Sequence, residues 1–208
     1  MCMFVVLALL FIGTNAAAEK MQRQCLCTEF NGCYKRMVPD TEACADKCKA
    51  HVLKLGGDYA KVKECVMEYK PQVIKAMECV KAAVGDQKVC AAESDAMVPH
   101  RFIENLQMAG FREITAMFKR AKLLSEVTKL LAAGRGAAGC MVRCGQNGEC
   151  LKKKCSLNIP SDNELVEIAK KCAMDNGLDT QAARSVCDCM TNAGIEVFKP
   201  LCPRLIVS

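Results

Sequence analysis

Residues 98–139, VPHRFIENLQMAGFREITAMFKRAKLLSEVTKLLAAGRGAAG, contain no cysteine, in a chain of 208 residues that has 17. Eight cysteines lie between this stretch and the apolar N-terminal segment, and eight follow it. The layout is that of two cysteine-rich regions joined by one cysteine-free element. Within the stretch Ile103, Leu106, Gly110, Ile114, Met117, Ala121, Leu124, Thr128 and Leu131 step by threes and fours, which is the period of one helical face. Phe102, Phe111, Phe118 and Val127 widen that stripe, while Glu113, Lys119, Lys122 and Glu126 fall off it. The pattern predicts a long amphipathic helix from Pro99 to about Ala133, or two helices broken near Gly110, followed by a flexible joint at the glycine-rich residues 134–139. About ten large apolar side chains at roughly 1.5–3 kcal/mol each when buried are too many to leave in water. The helix is therefore expected to pack across both flanking regions with its basic face outward. Were it not packed, its stripe would be a membrane or partner surface.

Composition sets the class. Hydrophobic residues make up 51% of the chain and aromatic residues 5%, with no tryptophan, a balance that favours helices over a β-sandwich. Residues 4–12 form an unbroken apolar run, too short to cross a bilayer, which is followed by Ala16-Ala17-Ala18. That is the pattern of a secretory signal peptide over residues 1–18, although no basic residue precedes the run. Its removal would discard Cys2 and leave sixteen cysteines for an oxidising compartment: Cys25, Cys27, Cys33, Cys44, Cys48, Cys65, Cys79, Cys90, Cys140, Cys144, Cys150, Cys155, Cys172, Cys187, Cys189 and Cys202. Structural zinc is not expected, because none of the close pairs is Cys-x-x-Cys and the chain has two histidines. The net charge is +6, and residues 98–139 supply +4 of it, with seven Lys/Arg against three Asp/Glu.

Sliding the first region onto the second matches Cys33, Cys44, Cys48, Cys65, Cys79 and Cys90 with Cys140, Cys150, Cys155, Cys172, Cys187 and Cys202, at offsets of 107, 106, 107, 107, 108 and 112. The near-constant offset reads as divergent duplication of one helical module, at 19–97 and 140–208. In the first, a helix is expected from Asp40 or Thr41 to Leu55, stopping at Gly56-Gly57. A second is expected over 58–70, and a third from Pro71 to Val84 with Ile74, Met77 and Val84 inward. In the second, Ser161 to Glu164 is a capping-box pattern before a helix that ends at Asn176-Gly177, and a further helix starts at Asp179 or Thr180. Two cysteines at i, i+4 point the same way and cannot pair with each other, so Cys44 and Cys48 are each expected to reach a different segment. The pairs Cys25-x-Cys27 and Cys187-x-Cys189 are likewise expected to bridge outward. Connectivity beyond that is open.

Chemistry is sparse. His51 follows Cys48 by three residues, a spacing that resembles the catalytic helix of secreted phospholipases A2. The adjacent cysteine, the following acid and the calcium loop of those enzymes are missing here, which leaves a histidine on a structural helix. No Gly-x-Ser-x-Gly, His-Glu-x-x-His or phosphate-cradling loop occurs. An enzyme, a cofactor and a nucleic-acid partner are not expected. Cys144 to Cys150 reads as a turn at Asn147-Gly148 pinned by two cysteines. Lys152, Lys153 and Lys154, combined with Arg112, Lys119, Arg120 and Lys122, are a candidate patch for an anionic surface or glycan.

The signal peptide, the helical modules and cysteines spread over the whole mature chain, at spacings such as Cys44-x-x-x-Cys48 and Cys65 to Cys79, resemble the nematode secreted cysteine-rich proteins with a chondroitin proteoglycan 4 type domain. The resemblance implies an extracellular or matrix role. The expected fold is all-α and disulfide-rich: two duplicated helical modules joined by a long amphipathic helix. The expected function is extracellular binding, of a protein or an anionic glycan, or a matrix role. Its rival is a lipid carrier with a cavity lined by Met67, Met77, Met108, Met117 and Met190.

Overall fold

The computed structural model describes residues 20–207, except 94, 95, 147, 149 and 151; the expected signal segment and Asn147 lie outside the described residues. In chain order the elements are β1 (Met21–Arg23), α1 (Cys27–Lys47), α2 (Lys49–Lys54), α3 (Tyr59–Met67), α4 (Lys70–Val84), the single turn α5 (Asp86–Val89) and β2 (Met97–Pro99). Then follow α6 (Ile103–Arg120), α7 (Leu124–Gln146), α8 (Asp162–Asp175), α9 (Thr180–Asn192) and two 3₁₀ turns at Glu196–Phe198 and Cys202–Arg204. The fold is helical and disulfide-rich. Among the described residues the one sheet is an antiparallel pair, β1 against β2 with Gln22 opposite Val98, too short to carry a sequence signal.

Helix α1 starts at Cys27, well before the expected start at Asp40 or Thr41, and it carries Pro39 inside it. Glu29 accepts the Leu26 N–H at 2.9 Å, and disulfides from Cys27 and Cys33 hold the first turns. Pro39 has no N–H, so the helix forgoes one hydrogen bond there. Cross-links on both sides of that gap, at Cys33 and Cys44, keep the helix whole. Helix α3 starts as expected, with Asp58 accepting the N–H of Ala60 and Lys61, but it ends at Met67 rather than Lys70, and Lys70-Pro71 opens α4. Ile74, expected inside, is exposed, and Ala76 is the buried residue of α4. Ser161 caps α8 by accepting the Glu164 N–H at 3.3 Å, and Asp179 caps α9.

The central stretch departs from the expected layout in three ways. It breaks at residues 121–123 rather than at Gly110, and Lys122 there has φ 55°. The cause is Leu123, fully buried among Cys187, Leu201 and Cys202, with Phe118 and Phe198 packed around them. The expected flexible joint is instead the interior of α7. A Cβ at Gly136 would lie 2.6 Å from Nδ1 of His51, so the missing side chain is what lets α2 seat on α7. Finally, the buried face of α6 is rotated. Ala109 is buried where α6 packs on α8, and Ile114 faces outward.

Eight disulfides join all sixteen cysteines of the described residues: Cys25–Cys155, Cys27–Cys90, Cys33–Cys150, Cys44–Cys144, Cys48–Cys140, Cys65–Cys189, Cys79–Cys172 and Cys187–Cys202. Six of them cross between residues 19–97 and 140–208, and each region keeps one bridge to itself. Neither region is therefore covalently closed on its own. The helical hairpins α3–α4 and α8–α9 pack on each other, with α4 on α8 through Cys79–Cys172 and α3 on α9 through Cys65–Cys189. The turns that precede α3 and follow α9 meet back to back. There Gly194 has φ 101°, and a Cβ on it would sit 2.6 Å from the Gly56 carbonyl oxygen. Beside that contact Ile195, Val62 and Ala193 form the second core cluster. Of the eighteen apolar residues buried among the described residues, eight are half-cystines, so much of the interior is sulfur rather than aliphatic side chain.

Candidate binding surfaces

The rungs Cys33–Cys150, Cys44–Cys144 and Cys48–Cys140 run in opposite sequence order along α1 with its cap Cys48 and along α7 with the turn after it, so the two helices are antiparallel and joined by a disulfide ladder. Cys44 and Cys48 do pair with different cysteines, but both partners lie on α7, where they also stand four residues apart. Two i, i+4 pairs on facing antiparallel helices close into adjacent rungs, about 6 Å apart along the axes. Cys144 and Cys150 consequently pin nothing to each other; each is tied to α1.

Alongside the ladder runs a groove of about 790 Å³. Five ladder cysteines, Cys33, Cys44, Cys140, Cys144 and Cys150, line it, with Met37, Thr41, Ala43, Met141, Gly145 and Gly148. Its charged lining residues are Arg36, Asp40, Lys47 and Arg143. Arg36 pairs with Asp40 at 3.5 Å, whereas Lys47 and Arg143 make no ion pair among the described residues. Arg143 folds back along α7, its Nη1 3.4 Å from where a Cβ of Gly139 would be. None of the five methionines expected to line a carrier cavity is in this groove; they are spread over α3, α4, α6 and α9.

The second surface is the outer face of α6. Met108, Phe111 and Ile114 are 55%, 51% and 48% exposed and, at three-residue steps, form one oblique strip. Arg112 and Lys119, seven residues apart and both exposed, form a parallel basic row beside it. Phe102, which caps the N-terminal end of α6, is exposed as well and packs edge-on against His100. The remaining candidate cations are not gathered there. Arg120 donates to Glu113 at 3.3 Å, and Lys170 binds the same carboxylate at 2.9 Å, holding the Glu113 carboxyl below its ordinary range. Lys122 sits in the α6–α7 break, and its carbonyl accepts from Arg204. Lys152, Lys153 and Lys154 are exposed beyond the far end of α7. That helix has 23 residues, about 34 Å, several times the ~8 Å screening length at physiological salt. The expected single patch is thus two basic sites at opposite ends of α7.

His51 is half-buried against Gly136, and His100 hydrogen-bonds Gln22. Arg101 straps β2 to the start of α8, donating to the carbonyls of Ile159 and Pro160 at 2.8 and 2.6 Å. Among the described residues no group of three His, Cys, Asp or Glu is arranged to hold a metal, and no helix is long and apolar enough to cross a membrane. Lys47, Arg143, Met37 and Met141 escaped sequence reasoning. The signal that would have found them is the equal i, i+4 spacing of Cys44/Cys48 and Cys140/Cys144, which predicts the ladder and hence the groove beside it. Comparison of the chain with protein-family models, with curated proteins and with solved structures returned no match.

Proposed function

We propose that this is a secreted, non-enzymatic binding protein of the extracellular space or matrix, which docks on an acidic, apolar-centred protein surface through the outer face of α6. The observation that carries this reading is the strip of Met108, Phe111 and Ile114 beside the row of Arg112 and Lys119. Cations alone suit a sulfated glycan. Half-exposed phenylalanine, methionine and isoleucine add apolar area that a glycan cannot cover, and an apolar centre with a charged rim is the anatomy of a protein interface. Disulfides support the setting, because eight bridges persist where the compartment is oxidising. They also favour binding as the mode of action, since a frame cross-linked this densely presents its face pre-ordered and loses little entropy on docking.

The test is photo-crosslinking from position 108 of the full secreted chain, applied to the extracellular matrix and cell surface of its own source. One cross-linked protein species is expected, lost in Phe111→Asp and weakened in Arg112→Glu and by added salt. Cross-linking that is indifferent to all three, or confined to lipid or glycan, would refute the docking role of α6.

A further inference from the structure

We propose that the groove between α1 and α7 is a binding site for a long-chain fatty acid, with the carboxylate held between Lys47 and Arg143 and the acyl chain lying along the disulfide ladder. This goes beyond the docking role of α6 and uses a different face of the molecule. Three features of the groove specify the ligand.

The first is polarity along its length. Lys47 adjoins Cys48, and the guanidinium of Arg143 lies back over Gly139, next to Cys140, so both cations stand at the Cys48–Cys140 end. Among the described lining residues the one carboxylate, Asp40, is already paired with Arg36. The two cations without an ion pair among the described residues therefore favour an anion at that end, and a guanidinium fork beside an ammonium is a natural carboxylate seat.

The second feature is the floor. Besides the paired Arg36 and Asp40 and the hydroxyl of Thr41, the lining is disulfide sulfur, Met37, Ala43 and, next to Cys140, Met141, soft and largely apolar surface that adapts to a flexible chain. Gly145 keeps the middle of the groove open, for no atom lies within 4 Å of where its Cβ would be. The third feature is width and length. From Cys33 to Lys47 the groove follows α1 for fourteen residue steps, about 21 Å. Rungs with Cα–Cα distances of 5.6–5.9 Å clamp the two helices together. A third helix, about 10 Å across with its side chains, is too wide to enter between helices held that close, whereas a single acyl chain fits.

The experiment uses the full, disulfide-intact chain with palmitate and methyl palmitate as probes, followed by native mass spectrometry and by the NMR signal of carboxyl-labelled palmitate. Saturable binding of one palmitate is expected. Lys47→Glu with Arg143→Glu should weaken palmitate at least tenfold while leaving methyl palmitate unchanged. Gly145→Leu should abolish binding of both, at wild-type helicity and with all eight disulfides in place. That variant has open space for its side chain, so it carries the test even if the double charge reversal does not fold. Absence of palmitate binding, undiminished binding to folded Gly145→Leu, or charge reversals that weaken acid and ester alike would each overturn the proposal.

Discussion

Glu29 accepts both arms of the Arg23 guanidinium, at 2.9 and 3.1 Å, and also the Leu26 N–H at 2.9 Å. The arginine first, and the backbone N–H next, hold its carboxyl down to about 2, from an ordinary 4.5. A carboxylate with a depressed folded-state value stabilises the fold fully above its unfolded value and loses that contribution as the pH falls through the folded one. Glu29→Gln should therefore lower stability at neutral pH by about 1 kcal/mol, the usual size for a half-exposed pair that also caps a helix. The difference from wild type should shrink as the pH falls from about 4.5 towards 2. Thermal unfolding across that range measures it, and a pH-independent difference would contradict it. Leu123 marks the opposite case, a residue whose value comes from burial alone. Leu123→Ala should cost about 2–5 kcal/mol in chemical denaturation, since its side chain is fully enclosed by Phe118, Leu201 and the Cys187–Cys202 bridge. That leucine was not singled out by sequence reasoning. In a stretch that is apolar on almost every turn, period alone cannot say which leucine enters the core and which phenylalanine stays outside.

Helix α7 shows how a composition cue can mislead. Gly134, Gly136 and Gly139 read as a joint, because glycine costs a helix roughly 1 kcal/mol per residue relative to alanine. The helix persists because α1 and α2 pack on it and because the Cys44–Cys144 and Cys48–Cys140 rungs fix its last turns. The glycines then divide by role. Gly134→Ala, with nothing within 4 Å of the added methyl, should stabilise by about 0.5–1 kcal/mol. Gly136→Ala should destabilise, because His51 must move, and Gly136→Ala with His51→Ala should recover the difference. Differential scanning calorimetry of the four proteins separates these outcomes, and a stabilising Gly136→Ala single variant would mean that α2 does not rest on that glycine. Capped helices were legible, as Asp58, Ser161 and Asp179 show, since a cap is a local signal. The early start of α1 was not, because cross-links from distant residues override the Pro39 signal.

At the scale of the molecule the sixteen cysteines were legible as a framework and illegible as a map. Spacing shows which cysteines cannot pair, and only the packing of α1 on α7 and of the two hairpins on each other decides which do. One consequence concerns proteolysis. Tryptic cleavage at the exposed Lys152-Lys153-Lys154 should release nothing without reductant, because Cys25–Cys155, Cys65–Cys189 and Cys79–Cys172 still join the two pieces. Mass spectrometry should find a single species heavier by one water, which resolves into two fragments on reduction; fragments that separate unreduced would disprove the crossing pattern. Those same crossings bear on biosynthesis. The six bridges between the regions span 92 to 130 residues of sequence, so none can form until Cys140 has been made. A ribosome adds roughly 5–20 residues per second, which leaves Cys48 without its partner for about 5–20 seconds. During that interval only Cys27 and Cys90 can find each other correctly. A chain emerging into an oxidising lumen would accumulate mispaired thiols from its first half, and its yield would be set by the isomerase that reshuffles them.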